Sequence, residues 1–127
     1  MELVYIVILL ALILFTALGM LVGRARAAHG VNAPAITGPE EFERTFRAHQ
    51  NTLESLIVFV PAVWIFGAVV DPLWGAIVGV VYLIGRVVYA AGYIRAAQRR
   101  GPGMMIGFIA NAVLVLGGLI GLIMTMV

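Results

Sequence analysis

Four long apolar runs separated by short polar connections set the pattern of the chain. Leu3 to Val22 is almost unbroken, and Arg24 and Arg26 close it. A helix needs about 20 apolar residues to cross a bilayer, so this run is the first predicted span. The charges follow the run and no small-residue cleavage site comes after it, which favours a retained span over a cleaved leader. Ala27 to Glu41, with Gly30, Asn32, Pro34, Gly38 and Pro39, reads as a connection. Thr37 to Glu41 opens a second helix. Pro39 suits a first turn there, and Glu40, Glu41 and Glu43 suit the positive helix N-terminus. The uninterrupted apolar part, Ser55 to Val70, is too short to cross alone, so part of the charged section before it must lie at the membrane boundary. Pro61 predicts a kink in this helix. Asp71-Pro72 is a tight turn, and Leu73 to Ile94 is a third run, followed by Arg95, Arg99 and Arg100. Gly101-Pro102-Gly103 is expected to end that helix, and Met104 to Val127 is the fourth run. The predicted architecture is all-α, an integral membrane four-helix bundle in one domain over residues 1–127, with spans at about 3–23, 40–70, 73–98 and 103–126.

Composition narrows the function classes. With 63% hydrophobic and 11% charged residues and a mean hydropathy of +1.10, the chain lies outside the soluble globular range. It holds eight arginines, no lysine and six acids, for a formal charge of +2. The arginines cluster beside spans and form no long basic stripe, which points to membrane lipids and carboxylates and away from nucleic acid. Seven of the eight flank the Ala27–Glu41 and Arg99–Gly103 connections. The positive-inside rule then puts those connections in the cytoplasm and both termini outside. There is no cysteine, so disulfides and thiolate metal sites are excluded, and any reacting thiol must arrive with a substrate. Two distant histidines make a poor metal ligand set.

Candidate chemistry concentrates in Phe42 to Glu54. Arg47, Asn51 and Glu54 recur at i, i+4 and i+7 and line one helix face, with Glu43 one turn earlier. Ionisable groups at membrane depth cost roughly 2.5 to 3.5 kcal/mol each even on a mild scale, so such a ladder calls for a bundle interior or a ligand. Helix 3 carries Tyr82, Arg86, Tyr89 and Tyr93 on one face. Glu54 and Arg86 have an alternative as a buried ion pair that fixes register. Tyr82 suits packing, and Arg44, Arg95 and Arg99 suit interfacial anchoring. His49 points away from Arg47 and is open between a surface and a ligand role. Asn111 is the one strongly polar side chain of the fourth run. Glycine pairs at four-residue spacing, Gly19/Gly23, Gly75/Gly79 and Gly117/Gly121, allow close helix approach.

The pattern F-E-R-x-x-R-A-H-x-N-x-x-E over Phe42–Glu54 resembles the MAPEG family, the membrane-associated proteins of eicosanoid and glutathione metabolism. Thr37-Gly38-Pro39 before it and Gly85-Arg86, Tyr89, Gly92-Tyr93 and Arg100 after it extend the resemblance over most of the chain. Microsomal glutathione transferases and leukotriene-forming synthases are the members most similar in motif. The resemblance implies a homotrimer with sites between subunits, glutathione as co-substrate, and a lipophilic electrophile or lipid entering from the bilayer. It implies that Arg26, Arg47, His49, Asn51, Glu54, Tyr89 and Tyr93 contact glutathione and that Arg100 activates its thiol. Arg47, Asn51 and Glu54 of one chain are expected to face Tyr93 and Arg100 of a neighbour. Ser55, Ala27 and Gly101 depart from residues of the leukotriene- and prostaglandin-forming synthases, so the implied activity is a broad glutathione transferase or peroxidase. The alternative is a non-catalytic lipid-binding scaffold like the lipoxygenase-activating branch, against which the retained Arg47 and Arg100 argue.

Overall fold

The computed structural model describes residues 1–127. It is built from α1 (Glu2–His29), α2 (Glu40–Val69), α3 (Pro72–Arg95), a 3-10 turn (Ala97–Arg100) and α4 (Gly101–Met126). Four helices are long and apolar enough to cross a membrane.

Local chemistry accounts for the ends. Gly30 terminates α1 in the left-handed conformation, φ 67°, a geometry that favours glycine, and its N–H donates to the Arg26 carbonyl. At the next turn the Asp71 carboxylate accepts from the Trp74 N–H at 2.9 Å, and Pro72 starts α3 where a missing N–H is harmless. α2 runs through Pro61 without a break.

The α3–α4 junction differs from the sequence reading. α3 stops at Arg95, Ala96 is extended, and Gly101-Pro102-Gly103 opens α4 instead of closing α3. Proline cannot continue a helix but suits its first turn, so the same three residues serve as a start.

α2 and α3 pack on each other and both touch α1 and α4, so they form the centre of the bundle. The buried stripe of α2 includes Phe42, Ala48, Thr52, Leu56, Phe59, Val63 and Phe66. Phe59 and its neighbours meet Val4, Val7 and Ala11 of α1, Ala76 and Tyr82 of α3, and Ala110 and Leu114 of α4. Outward faces are apolar, with Ile6, Leu9 and Ile13 on α1 and Ile57 and Trp64 on α2 exposed from the single chain. In a bilayer such faces give no net drive to associate, so close packing by small residues carries more of the assembly. A Cβ on Gly79 would lie 2.6 Å from Val7 Cγ1, and one on Gly117 2.7 Å from Phe66 Cε2, whereas Gly23 faces open space.

Candidate functional site

The polar ladder of α2 borders two clefts in succession. The first, about 310 Å³, is lined by Gly38, Glu40, Glu43, Arg44, Arg47, Tyr93 and Ala97. The second, about 370 Å³, is lined by Asn51, Glu54, Ser55, Arg86, Tyr89, Met104, Phe108 and Asn111. Arg47 and Glu54 are exposed, and Asn51 is half-buried. Opposite them Tyr89 and Tyr93 are buried edge to face, 5.7 Å between ring centroids, and packed with Leu18, Ala48 and Ala90. Packing fixes these rings and with them the positions of their hydroxyls. Asn51 Nδ2 donates to Tyr89 Oη at 2.7 Å. The Arg100 guanidinium lies 5.4 Å from the Tyr93 ring centroid.

Part of the ladder meets the helix-3 tyrosines without a second chain. Asn51 bonds Tyr89, and Arg47 shares a cleft with Tyr93, within one chain. The ion pair considered for Glu54 and Arg86 is absent. Arg86 is 5% exposed, stacks 4.1 Å from the Tyr89 centroid and donates from Nη2 to Thr52 Oγ1 at 2.8 Å. Glu54 stays exposed at the edge of the same cleft. Arg44 is more than an interfacial anchor. Its Nε donates to the Ile94 carbonyl at 3.2 Å, near the C-terminal end of α3, and its Nη1 pairs with Glu40 at 2.8 Å. Tyr82 packs as read, stacked on Phe59 at 3.8 Å, and also donates to Ser55 Oγ at 2.8 Å.

Two predicted residues lie elsewhere. His49 sits two positions from Arg47, about 200° around the helix. Its ring stacks on Phe15 of α1 at 4.4 Å, beside Gly19. Arg26 donates from Nη1 to the Ala35 carbonyl at 2.7 Å and lies 5.2 Å from the Phe42 ring centroid, tying the α1–α2 connection to α2. Neither lines the two clefts. Sequence reasoning missed Ser55 as a lining residue and gave Asn111 no role. The available signal was Asn111's isolation in an apolar run.

The model of the MAPEG family matches residues 3–120 of the chain. The chain belongs to the MAPEG family. It is 46% identical over 114 residues to an uncharacterised protein of Synechocystis sp., covering 90% of this chain and 83% of that one. Human microsomal glutathione S-transferase 2 is 39% identical over 101 residues, 80% of this chain and 69% of its own length. Leukotriene C4 synthase of Cavia porcellus is 42% identical over 94 residues, 74% of this chain and 63% of its own length.

In this MAPEG chain the end of α3 changes how Arg100 is placed. On one continuous helix Arg99 and Arg100 would differ only by the ordinary 100° step. The break at Ala96 and the 3-10 turn fold residues 97–100 back, with the Arg99 carbonyl packed against Gly92. A side chain at position 92 would block that return, since its Cβ would collide with the Arg99 backbone. Gly92 thus lets the turn bring Arg100 over Tyr93.

Proposed function

We propose that this protein is a membrane-bound glutathione transferase, also suited to glutathione peroxidase chemistry. The observation that carries the reading is the convergence of Arg47, Asn51 and Glu54 with Tyr89 and Tyr93 along two adjoining clefts, with Arg100 at the Tyr93 end. Glutathione offers two carboxylates, an ammonium, two amides and a thiol. Arg47 suits a carboxylate through a bidentate fork, Glu54 suits the ammonium, and Asn51 can donate to and accept from a peptide group. The Arg100 guanidinium stabilises the thiolate, the nucleophilic form.

In this reading three chains assemble around shared sites. Arg26 and His49 face away from the two clefts and reach glutathione from the neighbouring copy. The co-substrate enters from the cytoplasm and the electrophile from the bilayer. Relatives named microsomal glutathione S-transferase 2 and leukotriene C4 synthase support the class of reaction.

The test is glutathione binding by detergent-purified protein, with crosslinking of the same material. Arg47→Ala should weaken binding about tenfold or more, since a hydrogen bond to a charged group is worth roughly 1.5–3 kcal/mol. Binding indifferent to Arg47 would end the assignment, and a monomer with full affinity would remove the trimer.

Orientation is tested separately. Cysteines introduced at His29 and Asp71, in a chain with none of its own, should label from opposite faces of sealed vesicles, His29 from the cytoplasmic one. Labelling of both from outside would put the site in the wrong compartment.

A further inference from the structure

Where α2, α3 and α4 converge, two buried polar atoms have no hydrogen-bond partner: Arg86 Nε and Asn111 Oδ1. Both side chains line the second cleft, and Ser55 lies there with them. Ser55 Oγ accepts from Tyr82 Oη at 2.8 Å and from Asn111 Nδ2 at 3.4 Å. With its two lone pairs engaged, the Ser55 hydroxyl proton is left to donate. The cluster therefore offers two donors, Ser55 O–H and Arg86 Nε–H, and one acceptor, Asn111 Oδ1. Arg86 is nine-tenths buried or more and has no carboxylate within salt-bridge distance. Unsatisfied groups at such depth are costly, which is why a ligand that completes them gains selectivity.

We propose that Arg86, Ser55 and Asn111 form a polar subsite for the lipophilic second substrate, and that it selects molecules carrying a hydroxyl or hydroperoxyl group near the reacting carbon. The proposal rests on the transferase reading and extends it to the other substrate. An O–H group donates to Asn111 Oδ1 and accepts from Arg86 or Ser55, so it satisfies both kinds of orphan. An ether or a ketone only accepts and leaves Asn111 unsatisfied. A carboxylate can accept from Arg86 but has no proton for Asn111 and sets its negative oxygen against Oδ1. A bare hydrocarbon leaves every group unsatisfied.

The position of the cluster fixes where the O–H lies in the substrate. Asn51 and Glu54, assigned to glutathione, border the cleft on one side. Beginning three residues further along α2 and α4, Val58, Ala62 and Ile65 of α2 and Leu114, Leu119 and Leu122 of α4 line an apolar groove of about 310 Å³. A hydrocarbon tail fits that groove. Its oxygenated carbon then lies between the tail and the thiol.

The experiment compares 4-hydroxy-2-nonenal with 2-nonenal, two conjugate acceptors of equal length that differ by one hydroxyl. Glutathione conjugation is measured with the full chain in lipid nanodiscs, each kcat/KM divided by the uncatalysed rate constant of the same aldehyde. The wild type should favour the hydroxylated aldehyde about tenfold, the ratio that 1.4 kcal/mol sets. Asn111→Leu, close in size and suited to a membrane helix, should bring that ratio to about one. Ser55→Ala should lower it in part. The ratio is the readout, because a structural defect reduces both substrates alike. Conjugation of both aldehydes without preference, or a preference that survives Asn111→Leu, overturns the subsite and leaves the transferase reading intact. Failure to conjugate either aldehyde removes both.

Discussion

Arg100→Ala is expected to lower glutathione-conjugating turnover at neutral pH by about one to two orders of magnitude. A free thiol with a pKa near 8.5 is only about 3% thiolate at pH 7, whereas a thiol brought two units lower by a cation is about 75% thiolate, roughly a 25-fold difference. Arg100 is the cation the fold places over the Tyr93 ring, 5.4 Å from its centroid. Removing the positive charge raises the pKa of bound thiol, so the rising limb of the pH–rate profile moves to higher pH and the rate recovers in alkaline buffer. Affinity for glutathione should change less than turnover, because an interaction confined to the reactive anion acts mainly on kcat. Arg99→Ala is the control. Arg99 contributes its backbone against Gly92 but no cation–π contact to Tyr93. Stopped-flow and steady-state conjugation of a generic aromatic electrophile, scanned from acid to alkaline pH, decides between them. An unshifted profile in Arg100→Ala refutes the role, and a shift in Arg99→Ala alone transfers it.

Much of this arrangement was legible because membrane helices expose their polar residues against an apolar background. Arg47, Asn51 and Glu54 stand out at i, i+4 and i+7, and helical periodicity is enough to put them on one face. Periodicity also sent His49 to another face, where it stacks on Phe15. It could not say which helix lies opposite each face, so the meeting of Asn51 with Tyr89 inside one chain was not foreseen. The absent Glu54–Arg86 pair has the same origin. Spacing brings charges to neighbouring faces, but Thr52, buried and next to Asn51 in sequence, takes the Arg86 hydrogen bond. The end of α3 was misread for a chemical reason. Gly-Pro-Gly is equally a terminator and an opener, and only the extended Ala96 decides which helix it serves. Glycine spacing was informative for Gly75, Gly79, Gly117 and Gly121, all of which face close neighbours. It said nothing of Gly85 and Gly103, whose tight contacts are with each other's helices.

Those two glycines set the second large effect: Gly103→Ala should destabilise the protein and impair the site together. A Cβ at position 103 would collide with the Tyr89 backbone nitrogen and lie 2.7 Å from the Gly85 carbonyl oxygen. One at Gly85 would lie 3.0 Å from the Gly107 nitrogen. The backbones of α3 and α4 are thus in direct contact, the packing that drives helix association where the surroundings are as apolar as the helices. Because the obstructing atoms are backbone, no side-chain rotation relieves the overlap, and α4 must move as a unit. Overpacking of this kind costs about 1–3 kcal/mol where side chains can yield, and more where they cannot. The displacement reaches the chemistry. Arg100 lies three residues before Gly103, Met104 directly after it and Asn111 two turns on, and all three are positioned against α3 or its tyrosines through this contact. Gly101→Ala provides the counter-test, since nothing lies within 4 Å of its added Cβ and its backbone is already helical, φ −57° and ψ −54°. That change should leave thermal stability equal or raise it by up to about 1 kcal/mol, through a less flexible unfolded chain. Thermal denaturation in detergent, paired with glutathione-conjugating activity, reads both variants. A Gly103→Ala protein as stable and as active as wild type would mean that α4 does not pack on α3 through this glycine.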